Sequence, residues 1–339
     1  MRENTTKNKQ KKKIPLILKI ILLLLITIII TVGGISIYGY KSFNKIVNQL
    51  KKVELKNDDL GIVDENELQQ YKGYSKLINI ALFGIDSTDT SSGRSDSIMV
   101  ATLDPIHNKL KLTSFMRDSY VNINDYGYDK LNHAYAYGGP ALSINTLNTN
   151  FGLNIADFIA VDFSSLPKII DTFGGITLEI TNEELKYIND YIESINSISG
   201  TNSSNIYSAG IQHLNGVQAL AYSRIRYTSG GDFERTQRQR NILTALFNEA
   251  LNISPSEYLN FISDLTQYVT TSLDNSTMLK IATKISTMGL NGISIEQERF
   301  PIDNYSEGKM INGVYYLTFD ASITKRQVMN YIFDDELPN

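Results

Sequence analysis

Hydrophobic positions along the chain change period repeatedly, and each change marks an element. Leu77 to Phe83 is an apolar run ended by Gly84, the pattern of a short strand buried on both faces. Ser97 to Leu103 and Leu110 to Met116 read as two further strands, joined by a turn around Asp104-Pro105 and Asn108. In the second, Leu110, Leu112 and Ser114 alternate with Lys109, Lys111 and Thr113. A loop rich in Tyr and Gly follows, and Pro140 opens a helix that ends near Gly152. Phe158 to Phe163 and Ile176 to Ile180 have strand patterns and flank a short helix, Leu166 to Phe173, stopped by Gly174-Gly175. Strands alternating with helices predict an α/β layered core.

The second half is more helical. Glu183 to Ile195 has a helical pattern, Ser197 to Ser208 reads as a polar surface insertion, and Asn215 caps a short helix through Leu220. A long helix runs from Phe233 to about Leu251, with Asp232 as its N-cap, and Pro255 to Leu265 and Ser276 to Met288 form two more. The chain closes with a strand from Ile293 to Phe300, a hairpin at Asn312-Gly313 leading into Val314 to Phe319, and a helix from Ala321 to Phe333.

The N-terminal residues carry a different signal. Arg2, Lys7, Lys9 and Lys11 to Lys13 precede an apolar stretch from Ile14 to Tyr38, long enough to cross a bilayer, with its positive flank on the N-terminal side. The stretch is too long for a signal peptide, and Gly33-Gly34-Ile35-Ser36 is a poor cleavage site. The expected organisation is a cytoplasmic tail over 1–13, a transmembrane anchor over 14–38, a polar extracytoplasmic stalk over 39–75 and a folded domain over 76–335. This predicts a single-pass protein of the cell membrane, N-terminus inside and domain outside.

Charge sharpens this picture. Of 32 basic and 36 acidic residues, eight and one fall in residues 1–41, so the remainder carries 24 against 35, a net charge of −11. A general nucleic-acid binder is excluded. The chain has no cysteine, which suits an exported domain without disulfides.

On this acidic chain, five arginines and no lysine lie between Arg224 and Arg240. If Tyr222 to Tyr227 is extended, Arg224 and Arg226 leave the backbone on one side, roughly 7 Å apart, a spacing that suits a diphosphate. Arg235, Arg238 and Gln239 then point inward from the first turns of the following helix, where the macrodipole favours an anion. Arginine is the residue for bidentate phosphate contacts. Asp86, Arg94, Asp96, Arg117, Asp118 and Asp232 recur at element ends. Carboxylates without His or Cys partners are hard ligands that suit Mg²⁺ beside substrate phosphates. His107, His133 and His213 share no ligand spacing, and Tyr135 and Tyr137 are candidates for substrate contact.

Gly84-Ile-Asp86, Gly93-Arg94-Ser95-Asp96, Arg117-Asp118, Lys130-Leu-Asn-His-Ala-Tyr135, Gly174-Gly175, Tyr222-Ser-Arg224-Ile-Arg226 and Gly231-Asp232-Phe-Glu-Arg235-Thr-Gln-Arg238-Gln239 resemble, in order and spacing, the LytR-CpsA-Psr family over about residues 76–250. Met116 departs from the proline common there. The resemblance implies a mixed central sheet sandwiched between helices, with an apolar pocket for a polyprenyl tail. It implies an enzyme of Gram-positive envelopes that moves an anionic glycopolymer, such as teichoic acid or capsule, from undecaprenyl pyrophosphate to peptidoglycan. By this resemblance Arg94, Arg117, Arg224, Arg226, Arg235 and Gln239 hold the pyrophosphate, Arg238 joins them as a motif position, and Asp86 and Asp96 hold Mg²⁺, with Mn²⁺ as the alternative. Asp86, Asp96, Arg117, Arg226 and Asp232 form the expected catalytic set, and Asp232, Asp118 or the substrate phosphate takes the hydroxyl proton. A non-catalytic scaffold that binds polyprenyl pyrophosphates and a hydrolase of the same lipid are the alternatives.

Overall fold

Residues expected to form a stalk are woven into the fold. The computed structural model describes residues 44–87, 93–162, 164–228, 231–251, 258–288 and 293–338. Ile46 and Val47 are buried in the core, and β1 (Lys51–Lys52) lies at a sheet edge. Leu60, Leu68 on the short α1 (Glu65–Leu68) and Tyr71 pack into a second core cluster. The stalk reading is therefore corrected for 44–75: its apolar residues are sparse, yet those it has are core. The expected span 14–38 lies outside the described residues, among which no helix is long and apolar enough to cross a membrane.

The sheet is built from β2 (Ile78–Ile85), β3 (Ser95–Asp104) and β4 (Lys109–Phe115) as an antiparallel meander. A small hairpin, β5 (Tyr120–Ile123) and β6 (Gly127–Lys130), leads into α2 (His133–Phe151), which is kinked at Gly138 and Gly139. Gly139 has φ +62°, a left-handed conformation that costs glycine nothing, and Pro140 restarts the helix as its ring requires. Then come β7 (Asp157–Asp162), α3 (Leu166–Thr172), β8 (Ile176–Ile180), α4 (Asn182–Ser199), β9 (Gly210–Leu214), α5 (Gly216–Arg224), α6 (Gly231–Leu251) and α7 (Tyr258–Thr266). The chain ends with β10 (Thr270–Thr271), α8 (Asn275–Met288), β11 (Ser294–Phe300), the hairpin β12 (Ser306–Ile311) and β13 (Val314–Phe319), and α9 (Ala321–Asp334).

The main sheet has the order β1-β10-β7-β2-β3-β4-β11, with β2–β7 and β4–β11 parallel and β2–β3–β4 antiparallel. It is the expected mixed sheet. Alternation along β2 sends Ile80 and Leu82 to one face, with Met278, Ile281 and Ile285 of α8. Ala81, Phe83 and Ile85 go to the other face, with Ile144 and Leu147 of α2 and Val328 and Ile332 of α9. Helices on both faces make the three layers. A third cluster, gathered from α3 to α7 with the antiparallel β8–β9 pair, forms a separate lobe whose α6 returns to the sheet.

Candidate active site

The ends of the strands set the site. Register pairs Ile85 with both Ser95 and Asp162, and Phe115 with Phe300. Asp86, Arg94, Asp96 and Arg117 therefore collect along one rim of the sheet, the carboxyl ends of β2, β4, β7 and β11, where open α/β sheets bind ligands. The Asp86 N–H donates to Arg94 O at 2.9 Å, which closes the loop between β2 and β3. Gly93 makes this turn at φ +110°, and a Cβ there would lie 2.8 Å from the Ser87 Cβ. Asp86 and Arg94 are exposed at the mouth.

Asp96 is the centre, 6% exposed. Arg117 Nη1 donates to its Oδ2 at 2.7 Å, Arg235 Nη2 to the same oxygen at 3.2 Å, and Asn132 Nδ2 to Oδ1 at 3.1 Å. Burial alone would raise the Asp96 pKa, but the two guanidiniums and the amide outweigh it and hold the carboxyl below its ordinary value. Asp118 sits behind Arg117, with Oδ2 3.5 Å from Arg117 Nε and Oδ1 accepting from Lys130 Nζ at 2.6 Å. Arg117, Arg235 and Lys130 thus gather around Asp96 and Asp118, and guanidiniums ordered in this way suit the oxygens of a phosphate. Asn132 and Lys130 belong to the Lys-Leu-Asn-His motif, which marked their presence in the sequence but not their roles.

The arginine stretch departs from its expected conformation. Arg224 is the last residue of α5, and Ile225 leaves the helix at φ −56°, ψ 127°. Tyr222 to Tyr227 is therefore not a strand, and Arg224 and Arg226 are not same-face neighbours on one. The helix continues because Asn215 and Gln218 form a reciprocal capping box and because Leu220, Ala221 and Tyr222 are buried. Burial pushes the Tyr222 hydroxyl up to about 12, against the bond that it accepts from Asn241. Arg224 is half-buried and Arg226 exposed. On the other side of the turn, α6 begins at Gly231, so Asp232 lies in its first turn rather than capping it; its side chain lies outside the described residues.

Arg235 and Arg238, three positions apart on α6, have different tasks. Arg235 reaches Asp96, whereas Arg238, 3% exposed, is committed to protein partners. Its Nε donates to Glu184 at 2.7 Å, Nη1 to Ile225 O at 3.1 Å, and Nη2 to Thr228 at 2.6 Å and Glu234 at 2.8 Å. Arg238, expected to hold pyrophosphate, here pins the segment that carries Arg226. Glu184, which the sequence reading did not single out, caps α4 through Thr181 with one oxygen and anchors Arg238 with the other. Gln239, one turn beyond Arg235, is buried. Arg240 is buried too, donating to Ser114 and Gln237, and burial with the neighbouring Arg299 charge lowers its pKa to about 10. Arg299 also sits 4.2 Å over the Phe233 ring, tying the start of α6 to β11.

Met116 has a structural consequence. Its N–H donates to Phe300 O at 2.9 Å and extends the β4–β11 pairing, a bond that proline cannot make.

A model of the LytR_cpsA_psr family matches residues 34–331. The chain belongs to that family. A relative from Bacillus anthracis, named polyisoprenyl-teichoic acid–peptidoglycan teichoic acid transferase TagU, is 30% identical over 293 residues, 85% of this chain and 88% of its own. Among solved structures, B. subtilis TagT superposes with a TM-score of 0.60 at 22% identity, covering 83% of this chain and 99% of TagT. TagT with bound octaprenyl pyrophosphate lipid gives 0.54 at 22% identity, over 76% and 90%. These matches establish the LytR_cpsA_psr fold here, and the family is one of transferases.

Proposed function

We propose that this protein transfers an anionic glycopolymer, such as teichoic acid or capsule, from a polyprenyl pyrophosphate carrier to peptidoglycan and releases polyprenyl phosphate, undecaprenyl in the usual carrier. The observation that carries the reading is the single Asp96 carboxylate shared by Arg117 and Arg235 at the strand ends. A carboxylate that orders two guanidiniums at one point preorganises donors for the oxygens of a polyanion. The name of the B. anthracis relative and the lipid carried by TagT support the same substrate class.

In the proposed reaction a sugar hydroxyl oxygen attacks the sugar-linked phosphorus in line. The P–O bond to the bridging oxygen breaks, and the leaving group takes the electron pair as polyprenyl phosphate. Arg117 and Arg235 hold the equatorial oxygens, with Arg94, Arg224 and Arg226 at the mouth. Arg238 keeps the 225–228 segment in place. Asp232, Asp118 or a substrate phosphate oxygen receives the hydroxyl proton; of these, Asp118 already holds Lys130.

The donor set fits Mg²⁺ or Mn²⁺. Asp86 is exposed, and Asp96 Oδ1 takes one neutral donor while Oδ2 takes both guanidiniums, so Oδ1 retains a lone pair. Two carboxylates with substrate phosphates make the hard-oxygen shell that these ions prefer. Bound there, the ion supplies further neutralisation of phosphoryl charge. Residues 14–38 would anchor the protein in the cell membrane with the tail 1–13 inside and the domain outside.

The test is transfer by the full-length protein in detergent from a doubly labelled polyprenyl-pyrophosphate glycan to peptidoglycan oligomers, with Mg²⁺ and with chelator, beside Arg226→Ala. Metal-dependent product carrying glycan and phosphate labels, lost in the variant, is expected. Donor binding without product would replace this reading with a scaffold, and release of free phosphorylated glycan alone would replace it with a hydrolase.

A further inference from the structure

The backbone that presents Arg117 also carries an aromatic surface. Leu131 N donates to Ser119 O and Asn132 N to Arg117 O, at 2.9 and 3.1 Å, and Leu317 N donates to Asp118 O at 2.9 Å. The β5–β6 hairpin, the start of α2 and β13 are therefore all fastened to residues 117–119. From these elements project Tyr126, Tyr128, Tyr137 and Tyr315, 55, 64, 41 and 47% exposed. Exposed aromatics in one patch mark an interaction surface.

The patch is ordered. Tyr126 and Tyr137 stack at 4.6 Å with 11° between their planes, and Asp129 accepts from the Tyr137 hydroxyl at 2.5 Å and the Tyr316 hydroxyl at 3.3 Å, with His133 Nδ1 at 2.8 Å. Lys130 lies 6.0 and 5.7 Å from the ring centres of Tyr315 and Tyr316 while it binds Asp118, the neighbour of Arg117. The rings thus adjoin the anion site through one continuous chain of contacts. Beside Tyr126 opens a cleft of about 410 Å³, lined among others by Asp58, Asp59, Asn124, Asp125 and Asn145.

We infer that this tyrosine patch and its cleft bind the N-acetylhexosamine sugar backbone of a glycan strand, the acceptor of the transfer. The inference rests on the transferase reading for the word acceptor, and on the patch itself for glycan binding. Aromatic faces are electron-rich and attract the C–H face of a pyranose ring, and carboxylates and amides accept and donate to its hydroxyl and acetamido groups. Three carboxylates in the cleft repel a polyanion, so the strand that lies here is not the anionic donor polymer.

Binding of an uncharged β-1,4-linked N-acetylhexosamine hexamer to the full-length protein, followed by calorimetry, tests this. The Tyr126→Ala/Tyr137→Ala variant is expected to weaken hexamer binding about tenfold and to raise the acceptor KM, with affinity for the polyprenyl-pyrophosphate donor unchanged. On the unaltered protein, the hexamer is expected to protect Tyr126 from nitration, read by mass spectrometry, a measurement that needs no variant to fold. Absence of hexamer binding, absence of protection, or loss of donor affinity in the variant would overturn the inference. Hexamer binding that depends on the tyrosines, in a protein that transfers nothing, would leave the patch standing and remove the transferase reading instead.

Discussion

Two clusters of cations lie near the sheet, one closed and one open. On β4, Lys111 is wholly buried, its Nζ 3.1 Å from Asp104 and from Asp335 and bonded to the carbonyls of Tyr331 and Ile332 at 2.9 and 3.1 Å. Lys109 joins it against Asp335 and Glu296. Asp104, His107 and Asp335 could by their spacing hold a metal ion, but the ammonium stands between the two carboxylates. Two ammoniums there meet three carboxylates, and every partner comes from the protein. At the rim, two arginines share Asp96 and a lysine shares Asp118 with one of them, with Arg94 exposed beside them. The difference teaches what separates a structural ion cluster from a site: the Lys111 ammonium is wholly enclosed by protein acceptors, whereas the guanidiniums around Asp96 lie at a strand-end rim beside the exposed Asp86 and Arg94.

That contrast can be broken at several points. The largest effect on stability is expected at the closed cluster, where Lys111→Ala leaves two carboxylates facing each other in the core. A loss of about 3–5 kcal/mol in urea denaturation is expected; a loss below about 1 kcal/mol would mean that the cluster is not closed. Arg235→Ala should reverse the balance, lowering kcat/KM for transfer by about 10²–10³-fold while costing less than about 2 kcal/mol, since Asp96 keeps Arg117. Arg238→Ala acts at one remove. With segment 225–228 released, transfer should fall about 10- to 100-fold, mostly through the donor KM, and Arg238→Lys should not restore the forked contacts.

The smallest response is expected in mild acid. The Asp96 carboxyl has a lowered pKa, so its contribution to stability is complete above the ordinary value of 3.8 and disappears only as pH falls below it, through the folded-state value. Between pH 5 and 8 the stability difference between the wild type and Asp96→Asn should be flat, and it should shrink only below that range. A difference that already narrows near pH 6 would show that the guanidiniums do not hold the carboxyl ionised.

How much of this was legible in the sequence follows the length of each pattern. The strands from Leu77 to Met116, the Asn312-Gly313 hairpin and the last helix read correctly because each carries several periods or a definite turn signal. The two-residue strands β1 and β10 have no period to read, and their pairing is decided by tertiary contacts. Lys111 alternated with apolar residues as a surface lysine would, and its burial depends on carboxylates seven residues before it and 224 residues after it. In the site, arginine chemistry and motif spacing marked Asp96, Arg117 and Arg235, which the fold brings together. They could not distinguish Arg235 from Arg238, because one turn of helix decides which guanidinium faces Asp96 and which faces Glu184. The β5–β6 hairpin went unread because its strands are short, with only Val121 and Ile123 reaching the core.

The early entry of the chain into the fold sets a limit on reach. With the proposed anchor ending at Tyr38 and ordered contacts from residue 44 onward, the five residues between them extend to at most about 17 Å, whereas a free stalk over 39–75 could extend to about 125 Å. If that anchor holds, a domain on so short a tether would be unable to search the depth of a cell wall. Under the proposed function, acceptor strands would have to come to it, within a few tens of ångströms of the bilayer that confines the lipid-linked donor.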